Sequence, residues 1–462
     1  MDNRKVLVDE IVSTLKRGVN VALIAPTGWG KTHLAFKVAI ELGKEGYRVG
    51  VKFPTLTVAV KKWQELVSLL QNADPRPSAI LTAGAQQFCI YKWQYPQRYC
   101  NRCPLRRQQQ ISVPQKVAYY ELDKLVPDDA CAYWVQEELF PNFNIIIGHY
   151  GRAVKTAPHV HFMIWDEAQE AFIPNIKSMP LYEIAEVLRA DVSELTDVNT
   201  IKEYAEARLV DADPVREDVL FSLLQMMKKT TCWIEDQVLN CLDMRSMPSG
   251  IPTLALTATP PPGWPPEGWG RKIEIKPPAK PRAFVEPEAR FYYKDGYRGI
   301  ALQLYLIIQW LKKKFGVKCV IIFAISSVRH VLEYSLPFEI SHEPPEKEQQ
   351  IPPSGVVVVD AWGRMRVGVD IRYCDAAVLP WPSLNIAARR RLRAEGKNPD
   401  MAELLLSVQL AGRIMRPRLG ESYEDVLNKR IVVLADARFW SHVDYLAQFF
   451  TIEELPADLQ VS

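Results

Sequence analysis

Apolar residues in this chain fall into short runs separated by stretches of helical spacing. Val19 to Ala25 is one such run, stopped by Pro26-Thr27-Gly28, and Thr32 to Leu42 then carries helical periodicity up to Gly43 and Gly46. Val49 to Phe53 is a second run and Val58 to Leu70 a second helical stretch. Three more runs have strand length and look as if they return to the same sheet: Asn144 to Ile147, His161 to Trp165 and Thr253 to Ala258. From about residue 288 the alternation starts again, with strands expected at Val317 to Phe323, Gly355 to Val359, Ala376 to Leu379 and Arg430 to Leu434. Strand–helix alternation of this kind predicts parallel sheets covered on both faces. The expected fold class is therefore α/β, with two parallel-sheet units.

Two stretches interrupt the first unit. Residues 86–140 carry a group of cysteines, and residues 170–250 read as a helical insertion. A proline-dense segment follows, holding nine of the 34 prolines between Pro260 and Pro287, and reads as a stiff extended connector. The expected division is a first sheet unit from 1–85, 141–169 and 251–287, the two insertions, and a second sheet unit from 288–462.

Length and composition narrow the classes. At about 150 residues per domain, 462 residues make room for roughly three. Hydrophobic residues at 48% and charged residues at 24% exclude disordered, collagen-like and coiled-coil chains. The start, MDNRKVLVDE, has no signal pattern. The apolar stretch Ile300 to Leu311 is broken by Gln303 and Gln309 and is too short to span a bilayer. A cytosolic chain without a membrane segment is expected. With 57 basic against 54 acidic residues, the net charge of +3 shows no overall basic excess of the kind dedicated nucleic-acid binders carry.

The segment Ala25-Pro26-Thr27-Gly28-Trp29-Gly30-Lys31-Thr32 lies between an expected strand and an expected helix. Backbone N–H groups of such a loop wrap a phosphate, and the helix N-terminus adds a favourable dipole. Lys31 would reach the β- and γ-phosphates and the Thr32 hydroxyl would hold Mg²⁺. The plain alternative is a tight turn that happens to contain Lys-Thr; the flanking strand and helix argue against it. A phosphate loop needs a carboxylate at a strand end. His161-Phe-Met-Ile-Trp165-Asp166-Glu167-Ala168-Gln169 supplies two, with Asp166 for the metal and Glu167 to polarise the attacking water. In the second unit, Gln409-Leu-Ala-Gly412-Arg413-Ile-Met-Arg416 has helical spacing. Arg413 and Arg416, three apart, are expected on one helix face, able to stabilise charge on a γ-phosphate.

Cys89, Cys100, Cys103 and Cys131 are separated by ten, two and 27 residues. Four thiolates of this kind suit tetrahedral zinc or an iron–sulfur cluster, and the spacing leaves both open. Cys232, Cys241, Cys319 and Cys374 read as scattered core or surface residues. Around the first group, Tyr91 to Lys116 carries Lys92, Arg98, Arg102, Arg106, Arg107 and Lys116 with no acidic residue, interleaved with Tyr91, Trp93, Tyr95 and Tyr99. Cations for phosphates and rings for unstacked bases are what a single-strand track requires. The run Arg389-Arg390-Arg391 with Arg393 reads as a charged helix face.

Taken together the motifs resemble those of a superfamily 2 helicase. APTGWGKT resembles motif I, DEAQ motif II, LTATP (256–260) motif III and QLAGRIMR motif VI. The four cysteines between motifs I and II narrow the resemblance to the iron–sulfur helicases of the XPD/DinG group. Gly363-Arg-Met-Arg-Val367-Gly368-Val369-Asp370 resembles motif V, and Leu379-Pro-Trp-Pro and Val433-Leu-Ala-Asp436-Ala-Arg438-Phe439 match C-terminal signatures. The resemblance implies two RecA-like motor domains, with a [4Fe–4S] insertion and a short arch-like insertion in the first. It implies 5′→3′ movement on single-stranded and forked DNA driven by ATP and Mg²⁺, with Asp370 at the nucleotide. Gln169 stands where the group has His, Val367 where it has Glu, and Pro54-Thr55 lacks the Arg of motif Ia. A monomer is expected, in the cytoplasm at the nucleoid or in a eukaryotic nucleus.

Overall fold

The computed structural model describes residues 3–89, 105, 111–171, 175–210, 212, 216, 219–220, 223–224, 226–227, 232–235, 237–243, 250–261, 263–292, 295–361, 371–381, 398, 400–418 and 420–460. Its chain packs into two compact units. One comprises Met1–Leu23, Thr32–Thr257 and Gly263–Ile273; the other comprises Ile24–Lys31, Ala258–Pro262 and Glu274–Ser462. No helix among the described residues is long and apolar enough to cross a membrane.

Strands β1 (Val21–Ile24), β2 (Val49–Phe53), β3 (Ala79–Leu81), β4 (Lys116–Ala118), β5 (Ile145–His149) and β6 (Phe162–Asp166) begin an eight-stranded sheet. After an insertion bearing β7 (Asn175–Pro180), β8 (Cys232–Glu235) and β9 (Val238–Asp243), strands β10 (Thr253–Thr257) and β11 (Arg271–Glu274) complete it. The order is β11-β1-β10-β6-β2-β5-β3-β4. The ladders from β10 through β6, β2, β5 and β3 to β4 are all parallel. Every residue of β1, β2 and β6 is buried, as expected of strands covered on both faces. The helix Leu56–Gln71 buries Val58, Ala59, Trp63, Leu66 and Leu70, and its N-cap Thr55 accepts a hydrogen bond from Val58 N.

The second sheet is made of β12 (Arg282–Val285), β13 (Val320–Ala324), β14 (Val356–Asp360), β15 (Ala376–Leu379), β16 (Ile431–Leu434) and β17 (Thr451–Glu454). Its order is β14-β13-β15-β16-β12-β17, and all five ladders are parallel. The period of two is plain in its core. Ile321, Phe323, Val357, Leu379 and Val432 pack on one face with Leu404 and Leu410, while Ile322, Val356, Val358, Val378 and Val433 pack on the other with Leu304 and Ile308.

Three expectations change. The proline-dense segment is not strand-free: β11 and β12 lie inside it, and β12 is an interior strand, hydrogen-bonded to β16 and β17. Its four residues contain no proline, so every ladder donor is present and the prolines only flank it. The second sheet thus takes up the chain before residue 288. The 170–250 insertion is not purely helical. Beside the helices Leu181–Leu188 and Val198–Arg208 it holds the antiparallel sheet β7-β9-β8, over a small core of its own that includes Ile184, Leu188, Ile201 and Leu239. The third change is that Cys232 and Cys241 are not independent core residues. They are directly opposed across the β8–β9 hairpin and joined by a disulfide.

Candidate nucleotide site and cysteine cavity

Strand β1 ends at Ile24 and the helix Lys31–Lys44 opens at the lysine of the expected phosphate loop. Between them Trp29 N donates to Pro26 O, and Gly28 and Gly30 take φ of +85° and +99°. Only glycine enters that region without a steric penalty, so a side chain at either position would reshape the loop. Lys31 is buried, and its Nζ donates to Ala25 O at 2.9 Å and Pro26 O at 3.1 Å. Pro26, Thr27, Trp29 and Gly30 are half-buried and Gly28 is exposed. The positive end of the helix dipole favours an anion here.

Asp166 is the last residue of β6 and is buried. Thr32 Oγ1 donates to Asp166 Oδ2 at 2.8 Å across 134 residues of sequence. A hydroxyl and a carboxylate side by side at a helix N-terminus are hard oxygen donors of the type Mg²⁺ takes alongside phosphate. The residues present therefore fit a Mg²⁺–nucleotide, with Thr32 and Asp166 the side chains that would hold the metal.

Glu167 follows with a left-handed backbone, φ +57°. Gln169 Nε2 donates to Glu167 Oε2 at 2.8 Å, and Gln169 Oε1 accepts from Thr257 Oγ1 at 2.5 Å. Gln169 and Thr257 are fully buried, and Thr257 ends β10, the neighbour of β6. An amide donates at one end and accepts at the other, so Gln169 spans the gap between the acidic segment and the LTATP strand. Sequence reasoning noted Gln169 as a departure without seeing this bridge. It missed Tyr150 altogether: its hydroxyl donates to the carbonyls of Asp166 and of Glu167, the latter at 2.9 Å.

A buried amine sits nearby. Lys52 on β2 is fully enclosed and donates to Thr156 Oγ1 at 2.8 Å. Burial, then the Arg152 charge, holds its pKa well below the ordinary lysine value.

In the second unit Gln409 and Arg413 are buried and Arg416 is half-buried. The expectation of a shared helix face fails. The helix Met401–Ala411 gives way to a 3₁₀ turn, Gly412–Ile414, and Arg416 lies beyond it. Pro417 disfavours helical backbone at the residue before it, which explains why the helix cannot run through Arg416. Asp370, Val367, Arg389 to Arg391 and Arg393 lie outside the described residues.

Cys89 and Cys131 are half-buried and line one cavity of about 340 Å³ together with Leu105, Asp123 and Asp128. Their neighbours Phe88, Ala130 and Ala132 belong to one hydrophobic cluster, which brings the two cysteines together across the sequence. Leu105, two residues past Cys103, accepts a hydrogen bond from Cys131 N. Cys100, Cys103 and the aromatic and basic run from Tyr91 to Arg107 lie outside the described residues; Lys116 opens β4. Among the described residues no three His, Cys, Asp or Glu side chains gather as a metal group. Two of the four expected cysteines thus line the same cavity.

No family model matches the chain. No curated protein matches it in sequence. Among solved structures, the chain is similar to one of the XPD helicase, with TM-score 0.68 and 15% identity over 98% of this chain and 99% of that one. It is similar to an apo XPD structure, with TM-score 0.56 and 14% identity over 97% and 100%. It is also similar to Xpd4 of S. tokodaii, with TM-score 0.56 and 14% identity over 99% and 100%. The chain therefore has the α/β fold of these XPD structures, with its two parallel-sheet units.

Proposed function

We propose that the chain is an ATP- and Mg²⁺-dependent motor that moves 5′→3′ on single-stranded DNA and opens forked duplexes. The observation that supports the nucleotide-hydrolysing part of this reading is the Thr32–Asp166 hydrogen bond, which brings the loop hydroxyl and strand-end carboxylate together with Glu167 next in the chain; the DNA substrate and polarity come from the motif resemblance. Lys31 and the loop 26–32 would bind the phosphates, and bound Mg²⁺ would neutralise developing phosphate charge. Glu167, held by Gln169, would orient and polarise the attacking water. Gln409, Arg413, Arg416 and Asp370 are assigned to nucleotide binding and hydrolysis by motif. Cys89, Cys100, Cys103 and Cys131 would hold a [4Fe–4S] cluster whose domain meets the fork, and the basic and aromatic run from Tyr91 would track the strand. The protein would act as a monomer, in the cytoplasm at the nucleoid or in a nucleus.

The test is Lys31→Ala, assayed for DNA-stimulated ATP hydrolysis and for DNA binding. The expected result is loss of hydrolysis with binding retained; full hydrolysis in the variant overturns the motor assignment. Unwinding of 5′-tailed, 3′-tailed and forked duplexes reads the polarity, and a 3′-tail requirement contradicts it. Anaerobically purified protein is expected to be brown, and colourless protein with stoichiometric zinc would replace the cluster with a zinc site.

A further inference from the structure

The left-handed backbone at Glu167 is unusual for a residue with a Cβ. Such strain persists only where the surroundings impose it. Here the constraint comes from Tyr150. Its one hydroxyl proton is shared between the carbonyls of Asp166 and Glu167, which lie on either side of the Glu167 Cα. Pinning both carbonyls fixes the two dihedrals between them, and with them the direction in which the Glu167 side chain leaves the backbone. Tyr150 itself is buried, and its ring stacks on Trp165 at 4.4 Å with 30° between planes. It opens the turn Tyr150–Arg152 directly after β5, and the order β6-β2-β5 puts it two strands from Asp166, about 10 Å of sheet. At the other end of the residue Gln169 orients the carboxylate, so Glu167 is held from backbone and side chain by separate partners.

We infer that Tyr150 is a positioning residue for nucleotide hydrolysis, setting the Glu167 carboxylate toward the attacking water without touching the nucleotide. The inference rests on the ATPase reading above. Tyr150→Phe removes the hydroxyl and keeps the ring stack. The expected effect is a fall in kcat for ATP of about ten- to a hundred-fold, the scale of a small misplacement of a reacting group. The KM for ATP, binding of a fluorescent ADP analogue and the folded fraction should stay near wild type. In a Glu167→Gln background, single-turnover phosphate release should be the same with Tyr150 or Phe at this position, because the group being positioned is gone.

A wild-type kcat in Tyr150→Phe, or an equal fold-loss in the Glu167→Gln background, overturns the inference and leaves the motor assignment standing. A wild-type chain that hydrolyses no nucleotide overturns both. Should Tyr150→Phe fail to fold, Trp165→Phe loosens the stack while keeping the hydroxyl. It should lower kcat in the same sense and lose its effect with Glu167→Gln; an unchanged kcat in that variant counts against the inference equally.

Discussion

Two aspartates mark the ends of buried parallel strands, one in each unit, and the partners seen for them differ in kind. Asp166 ends β6 and takes a hydrogen bond from a neutral hydroxyl, Thr32 Oγ1. Asp436 lies two residues past β16 and is closed by a guanidinium: Arg438 Nε donates at 2.7 Å and Nη2 at 2.6 Å, and Phe291 N donates at 3.3 Å. Arg438 also lies 5.3 Å from the Trp381 ring centre, joining the two C-terminal signatures into one cluster. Asp436 is thus neutralised by the protein and ties β16 to the segment at Phe291. Asp166 is paired there with a hydroxyl, which brings no positive charge. The same residue type is therefore the proposed cation ligand in one unit and a structural clamp in the other.

Two substitutions probe that contrast. Asp166→Asn should lower Mg²⁺-dependent ATP hydrolysis about a thousand-fold, since it removes a charge on which transition-state stabilisation depends. Its melting temperature should hardly move, because an amide oxygen still accepts from Thr32. Steady-state phosphate release and thermal melts measure the two effects. Asp436→Asn should do the reverse. It leaves a mostly buried guanidinium without its counter-charge, at a cost of about 3 kcal/mol in a denaturant titration, while hydrolysis per folded molecule stays near wild type. A large loss of hydrolysis there would erase the distinction.

The smallest effect concerns Lys52, a buried base with no carboxylate among its partners. Burial lowers its pKa, so between the folded value and about 10.4 the unfolded chain binds a proton that the folded chain does not. Stability from this group therefore rises with pH across that window. Lys52→Met should stabilise the fold by about 1 kcal/mol at neutral pH and flatten the rise toward pH 10, read as urea midpoints at a series of pH values. An unchanged slope would show that the amine stays charged in the fold.

Much of the nucleotide site was legible because its residues are contiguous. Gly28, Gly30, Lys31 and Thr32 share one turn, and the apolar run before Asp166 announces a buried strand. The bridge from Gln169 to Thr257 and the Tyr150 hydroxyl were not legible, since each depends on which strands become neighbours. The hairpin at Gln237, with φ +58°, placed Cys232 opposite Cys241, a pairing that spacing alone does not specify. Arg416 was misplaced because a helical pattern was extended into a residue that precedes a proline. β12 was missed because flanking prolines hid four residues able to pair on both edges.

The sequence by itself determined the two parallel-sheet units and the places of the candidate phosphate loop, between strand and helix, and of the candidate acidic residues at a strand end. Apolar runs of strand length have few ways to be buried, and the loop's function resides in adjacent backbone groups. Only the tertiary structure decided how Glu167 is held, which aspartate is neutralised and which cysteines meet. Those outcomes turn on strand order and on angstrom-scale placement of side chains far apart in sequence, which hydrophobic periodicity does not encode.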